Sequence, residues 1–197
     1  MRRPETPQRT NLTPEAVVGE LIEWDTVDGI TAGAVGEPGR RVFMIQARKG
    51  TETLSVLVEK NQVAILAEEA NELVERFVAD DPTEPTEHTE QTEMHELLGG
   101  GPVEDATPLF RARLIGLGYD PERRVVLIEL REHSVEEGEL PPPIEESEGF
   151  VVRLHATRRQ VVMMTESGAE AVAAGRPPCP LCGFPVDPDG HPCPRWN

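Results

Sequence analysis

Apolar residues recur at steps of three and four through Val63, Leu66, Ala70, Leu73 and Phe77. That spacing puts them on one face and predicts an amphipathic helix opening near Gln62. Val161, Met164, Gly168 and Val172 predict a second. Thr157-x-x-Gln160 supplies this second helix with a capping box, and Gly175 ahead of Pro177-Pro178 supplies a stop. Strands are predicted over Gly29 to Val35, Arg40 to Arg48 and Thr53 to Val58, and again over Phe110 to Gly116, Arg123 to Arg131 and Phe150 to Leu154. Gly36-Glu-Pro-Gly39 and Tyr119-Asp-Pro-Glu122 are the turns after the first strand of each set.

These two sets repeat each other. Arg40-Arg-Val-Phe-Met-Ile-Gln-Ala-Arg48 matches Arg123-Arg-Val-Val-Leu-Ile-Glu-Leu-Arg131 in character, and Gln62-Val-Ala-Ile-Leu66 answers Gln160-Val-Val-Met-Met164. A strand-strand-strand-helix unit used twice predicts an α+β fold with mainly antiparallel sheet, because short turns cannot make the crossover a parallel pair needs. The pattern does not choose between one continuous sheet and two separate ones. The expected layout is a flexible N-terminus over residues 1–20, a first α+β unit over 21–79, an acidic linker or long loop over 80–107, a second unit over 108–175 and a small knuckle over 176–197. The linker expectation rests on Asp80-Asp-Pro-Thr-Glu-Pro-Thr-Glu-His-Thr-Glu90, a run of carboxylates with almost nothing apolar to bury. A tether between lobes and an acidic docking segment are both open. The Glu- and Pro-rich stretch 132–149 reads as a solvated hairpin excursion.

Charge narrows the partners. With 36 acidic against 19 basic residues the formal charge is -17, which repels phosphate backbones at long range and argues against nucleic acid as the partner. The N-terminal residues lack an apolar targeting segment and no run is long enough to span a bilayer, so a cytoplasmic location and no membrane partner are expected.

Chemistry concentrates at the end of the chain. All three cysteines fall within Cys179-Pro-Leu-Cys182 and His191-Pro-Cys193. Cys-x-x-Cys delivers two sulfurs from one tight turn, Gly183 permits that turn, and the excursion to Gly190 returns His191 and Cys193 as third and fourth ligands. A structural zinc ion on Cys179, Cys182, His191 and Cys193 is the expected cofactor. The rival is a redox dithiol, which draws its low thiol pKa from a following helix; here Gly-Phe-Pro-Val-Asp-Pro follows and cannot extend one. Four protein ligands leave no open position for catalysis.

Elsewhere the candidates are weaker. The glycines of Gly33-Ala-Val-Gly-Glu-Pro-Gly39 lack Walker spacing and meet a strand, so a hairpin accounts for them. Should a ligand groove exist, Arg40, Arg41 and Arg48 would hold an anion there, with His155 beside them; surface arginines are the ordinary alternative. No histidine has a partner at the spacing of a catalytic triad, and no catalytic residue is assigned. Trp24, among carboxylates, suits either an anchor on the core or an interface.

The segments Ala32-Gly-Ala-Val-Gly-Glu-Pro-Gly-Arg-Arg-Val-Phe43, Leu57-Val-Glu-Lys-Asn-Gln-Val-Ala-Ile-Leu66 and Ala174-Gly-Arg-Pro-Pro-Cys-Pro-Leu-Cys-Gly183, continuing through Asp189-Gly-His-Pro-Cys-Pro-Arg195, resemble an uncharacterised actinobacterial protein family of about this length. The likeness covers nearly all the chain except the acidic centre. It implies a cytoplasmic protein of unknown function, in some cases encoded near a histidine-phosphatase-like protein and so a helper in a shared process. Phosphatase chemistry is not matched, for the chain has no Arg-His-Gly. The expected function is a noncatalytic interaction or adaptor protein, its knuckle presenting Phe184, Pro185 and Trp196 to another protein. The alternative is an enzyme or binding protein for a small anionic ligand, using an arginine-lined groove between the units.

Overall fold

A computed structural model describes residues 20–78, 102–136, 138–176, 179–184, 186 and 190–196. In chain order the elements are β1 (Glu20–Trp24), β2 (Gly29–Val35), β3 (Val42–Lys49), β4 (Glu52–Val58), α1 (Lys60–Val78), β5 (Leu114–Asp120), β6 (Val125–Arg131), a 3-10 turn (Ile144–Glu146), β7 (Phe150–Thr157) and α2 (Arg158–Ala173). The chain is α+β, as its pattern predicts, and the strands form two sheets. One has the order β2-β3-β4, the other β1-β7-β6-β5. All neighbours are antiparallel except β1 and β7.

Inner positions alternate along each strand as period two requires. Ile30 and Ala32, Phe43, Ile45 and Ala47, and Leu54, Val56 and Val58 turn one face of the first sheet inward; Val126, Ile128 and Leu130 with Val152, Leu154 and Ala156 do so in the second. Together with Val63, Leu66, Ala70 and Val74 of α1 and Val161 and Met164 of α2 they form one contiguous core. Trp24 is half-buried against it, so the anchor reading of this residue is the one the fold adopts.

Each half reaches into the other. β1 runs parallel to β7, from Glu20 opposite Phe150 to Trp24 opposite Leu154. Correspondingly, residues 109–112 lie along β4: Leu109 N–H bonds to Ser55 O (2.8 Å), Leu57 N–H to Phe110 O (2.9 Å) and Ala112 N–H to Leu57 O (2.8 Å). Leu57 and Arg111 make a parallel bridge. The lead segment of either half therefore pairs with the last strand of its opposite.

Helix starts repeat the exchange. Gln160 closes the capping box with Thr157, its Oε1 accepting from the Thr157 N–H at 2.9 Å, while its Nε2 donates to Val27 O at 2.8 Å, two residues ahead of β2. Gln62 Oε1 accepts from the Glu59 N–H at 2.8 Å, and its Nε2 donates to Ala112 O at 3.4 Å, two residues ahead of β5.

Three local expectations shift. The strand expected over Phe110 to Gly116 begins at Leu114, because Leu109 to Ala112 are used on β4, and its turn moves to residues 121–124. There Asp120 Oδ1 accepts from the N–H groups of Glu122 and Arg123, both at 3.0 Å. Of the expected linker, residues 80–101 lie outside the described residues, and 102–107 cross the outer face of the first sheet. The buried Gln46 accepts from Glu104 N–H (3.1 Å) and donates to Glu104 O (3.2 Å), and Gly33 leaves the space that Val103 fills. The stretch 132–149 is likewise tied down, for Arg131 Nη1 donates to Pro142 O (2.9 Å) and Ser147 Oγ (2.7 Å). Among the described residues no helix is long and apolar enough to cross a membrane.

Gly168 sets how closely α2 approaches β2 and α1. A Cβ there would stand 2.9 Å from Val63 Cγ1 and 3.3 Å from Ala32 Cβ. Overpacking of this kind costs about 1–3 kcal/mol, against about 1 kcal/mol gained in helix propensity. Urea unfolding of Gly168→Ala should show a net loss of about 1–2 kcal/mol. Gly118→Ala, where a Cβ would meet only ordinary contacts near 3.7 Å, should be neutral or slightly stabilising. Equal stability of the two variants would contradict this packing.

Candidate metal centre

Beyond α2 the chain has too few apolar residues to build a core, and its order comes from local polar contacts. Cys179 N–H bonds to Phe184 O (2.7 Å) and Gly183 N–H to Cys179 O (2.8 Å), closing a tight turn that Gly183 permits with a φ of 77°. Gly190, at φ 91°, turns the chain back. Trp196 N–H bonds to Cys193 O (3.1 Å), and Arg195 Nη1 reaches Leu181 O (3.2 Å) to join the two ends of the knuckle.

These turns bring all four expected ligands together. One donor atom from each of Cys179, Cys182, His191 and Cys193 lies within 4.8 Å of every other. Cys179 Sγ and Cys193 Sγ are 3.9 Å apart, and Cys182 Sγ is 3.7 Å from His191 Nε2. A tetrahedral ion with metal–sulfur bonds of about 2.3 Å requires edges of about 3.8 Å between sulfurs. These two separations match the edges of such a tetrahedron, and the four clustered side chains could bind a metal.

The turn also prepares the first ligand. Backbone N–H groups of Cys182 and Leu181 point at the Cys179 sulfur and draw its thiol down to about 6, favouring the thiolate that metals bind. Burial pushes the Cys182 thiol upward, and the neighbouring sulfurs add to the shift.

Comparison with known proteins matches residues 22–193 to a family described as "Protein of unknown function (DUF3090)". The chain belongs to the DUF3090 family. The matched span runs from β1 through the last of the four ligands. No curated protein and no solved structure matches the chain.

The anion-binding candidates are distributed along the first hairpin. Arg40 is exposed in the β2–β3 turn, Arg41 Nη1 reaches Ala171 O at the end of α2 (3.4 Å), and Arg48 is exposed at the far end of β3. At about 3.4 Å per residue, Arg41 and Arg48 are separated by about 24 Å.

His155 belongs to a different group, which sequence spacing did not reveal. Its ring, buried at the end of β7, has Arg123 Nη1 at 3.2 Å from Nδ1, Glu23 Oε1 at 3.8 Å from Nε2 and Asp25 Oδ1 at 3.8 Å from Nδ1. Arg123 Nη2 also donates to Asp25 O (2.7 Å). Glu23, Asp25 and His155 are close enough for a cation. The guanidinium opposes one, however: Arg123 can only donate, so Nδ1 accepts and the neutral ring carries its proton on Nε2. A metal on either nitrogen would have to displace that arrangement. The parallel pairing of β1 with β7 brings Glu23 and Asp25 to His155, and neither Glu23 nor Asp25 signals that pairing.

Glu129 lies on the same sheet between two arginines. Burial alone would raise its carboxyl, but hydrogen bonds from Arg131 Nε and Arg153 Nε, both 2.7 Å, hold it below the usual range.

Burial, and then the charge of Arg123, lower the His155 pKa, while Glu23 and Asp25 oppose them. Because the unfolded chain then takes up this proton more readily, the contribution to stability is present above the ordinary histidine pKa of about 6.5 and is lost as pH falls through the folded value. NMR titration should place His155 below the ordinary histidine value of 6.5, and Arg123→Gln should move it upward. A His155 that titrates above 6.5 in the parent protein would reverse the sign of this contribution.

Proposed function

We propose that the chain is a noncatalytic protein-interaction protein whose C-terminal tail is held by a structural zinc ion. The carrying observation is the convergence of three thiols and one imidazole within 4.8 Å on a segment with no core of its own. Three sulfurs and a nitrogen suit zinc, whereas magnesium and calcium take oxygen ligands. When bound, the ion has four protein ligands and no position for substrate, so its work is to fix the backbone. This chain's residues do the rest: the turn at Gly183 sets the first two sulfurs, and Gly190 returns His191 and Cys193.

The knuckle then carries large apolar side chains in water. Trp196 is 79% exposed, Phe184 60% and Leu181 51%. An ion that locks their backbone removes part of the ordering cost of binding, which favours their use as anchors for a protein partner. A cytoplasmic location accords with free thiols at these positions. The distribution of Arg40, Arg41 and Arg48 along the first hairpin lends no support to the alternative of an arginine-lined ligand groove.

Metal analysis of purified protein should find about one zinc per chain. Cys182→Ser should lose it, with amide protection lost over residues 179–196 and kept in the two sheets. Undiminished zinc in that variant would remove Cys182 from the ligand set. For the interaction itself, Phe184→Ser combined with Trp196→Ser should keep the zinc and release proteins that cross-link to the parent; the same cross-linked partners from both would place the interface elsewhere.

A further inference from the structure

The repeat is broken at one place. Ile115, Leu117 and Tyr119 of β5 occupy the positions that Ile30, Ala32 and Ala34 hold in β2, counting from Leu114 opposite Arg131 and Gly29 opposite Arg48. On the β2 side the small residues, with Gly168, let α2 close on the strand. On the β5 side the larger ones hold α1 away, and Tyr119 stacks on Phe77 with ring centroids 4.1 Å apart, propping the far end of the helix.

The result is a cleft of about 390 Å³ between α1 and β5. One wall is a single helix face, Gln62, Ile65, Leu66 and Glu69; the other is the start of the strand, including Arg113, Ile115 and Leu117. Ile65 is 56% exposed, a large apolar side chain facing water at the mouth of an apolar groove. β5 is also the edge of its sheet, so one row of its backbone N–H and C=O groups has no strand partner among the described residues. An unpaired edge beside a helix is a template for strand addition: main-chain hydrogen bonds supply affinity, and alternate side chains enter the groove.

We infer that this cleft receives an extended peptide segment of a partner protein, added as a strand to β5, with apolar side chains at alternate positions against Ile65 and Leu117. Arg113 stands where the strand begins, exposed and with no ion pair among the described residues, and it selects an acidic residue at that end of the peptide. The inference shares with the proposed function only the class of partner. It needs no metal, and it concerns a surface built from α1 and β5 instead of the tail.

The probe is a phage-displayed library of random dodecapeptides, selected on the full-length chain. A selected peptide should shift the amide resonances of β5 and α1. N-methylation at alternate backbone positions of that peptide, which leaves its side chains intact, should weaken binding by about tenfold or more. Ile65→Asp, at an exposed position that folding does not need, should weaken it similarly. Arg113→Glu should do so too, and exchanging the peptide's acidic residue for lysine should restore binding to that variant. Cys182→Ser should bind the peptide as the parent does, which separates failure of the zinc reading from failure of this one. A library that yields no binder, a binder whose shifts map to the knuckle or elsewhere, or a binder indifferent to N-methylation would overturn the inference.

Discussion

The exchange of lead segments between the two halves is the constraint on which the remaining structure depends. β1 has its hydrogen-bond partner in β7, and residues 109–112 have theirs in β4, so neither half contains the pairing that completes its own sheet. The capping glutamines make the same crossing, Gln160 to Val27 and Gln62 to Ala112. Backbone groups left unpaired in a core cost about as much as a lost hydrogen bond each. The two units therefore act as one folding body, and the contiguous core drawn from both sheets follows.

Functional features sit where that body stops constraining the chain. The knuckle lies past α2, beyond the reach of the core, and its glycine turns with the Arg195 contact gather four donor atoms within 4.8 Å of one another. The cleft lies where bulky side chains on β5 replace the small ones on β2 and close packing fails. His155, Arg123, Glu23 and Asp25 meet at the carboxyl ends of β1 and β7, where one guanidinium and one imidazole face two carboxylates.

The legible parts of the sequence were those set by local pattern. The repeated run Arg40 to Arg48, steps of three and four in α1, and Thr157-x-x-Gln160 each point to a structure within a few residues, and a strand, a helix and a capping box appear there in the fold. The clustering of Cys179 with Cys182 was legible for the same reason, since Cys-x-x-Cys places its sulfurs by one turn. What stayed hidden depends on distant residues. Glu20 to Trp24 has no pattern that names Phe150 to Leu154 as its partner, and so the first strand and the His155 group went unseen. Phe110 to Ala112 read as the start of β5, and the free edge of β4 draws them away. The segment 102–107 looked like the end of a polar linker because Val103 and Glu104 are placed by Gly33 and Gln46, half the domain earlier.

Separate expression of residues 1–101 and 102–197 tests the exchanged architecture most directly. The account predicts that neither fragment alone gives a dispersed amide spectrum and that mixing them restores the spectrum of the intact chain as a one-to-one complex. A well-dispersed spectrum from either fragment by itself would show a half that folds without its neighbour's strand, and would contradict the account.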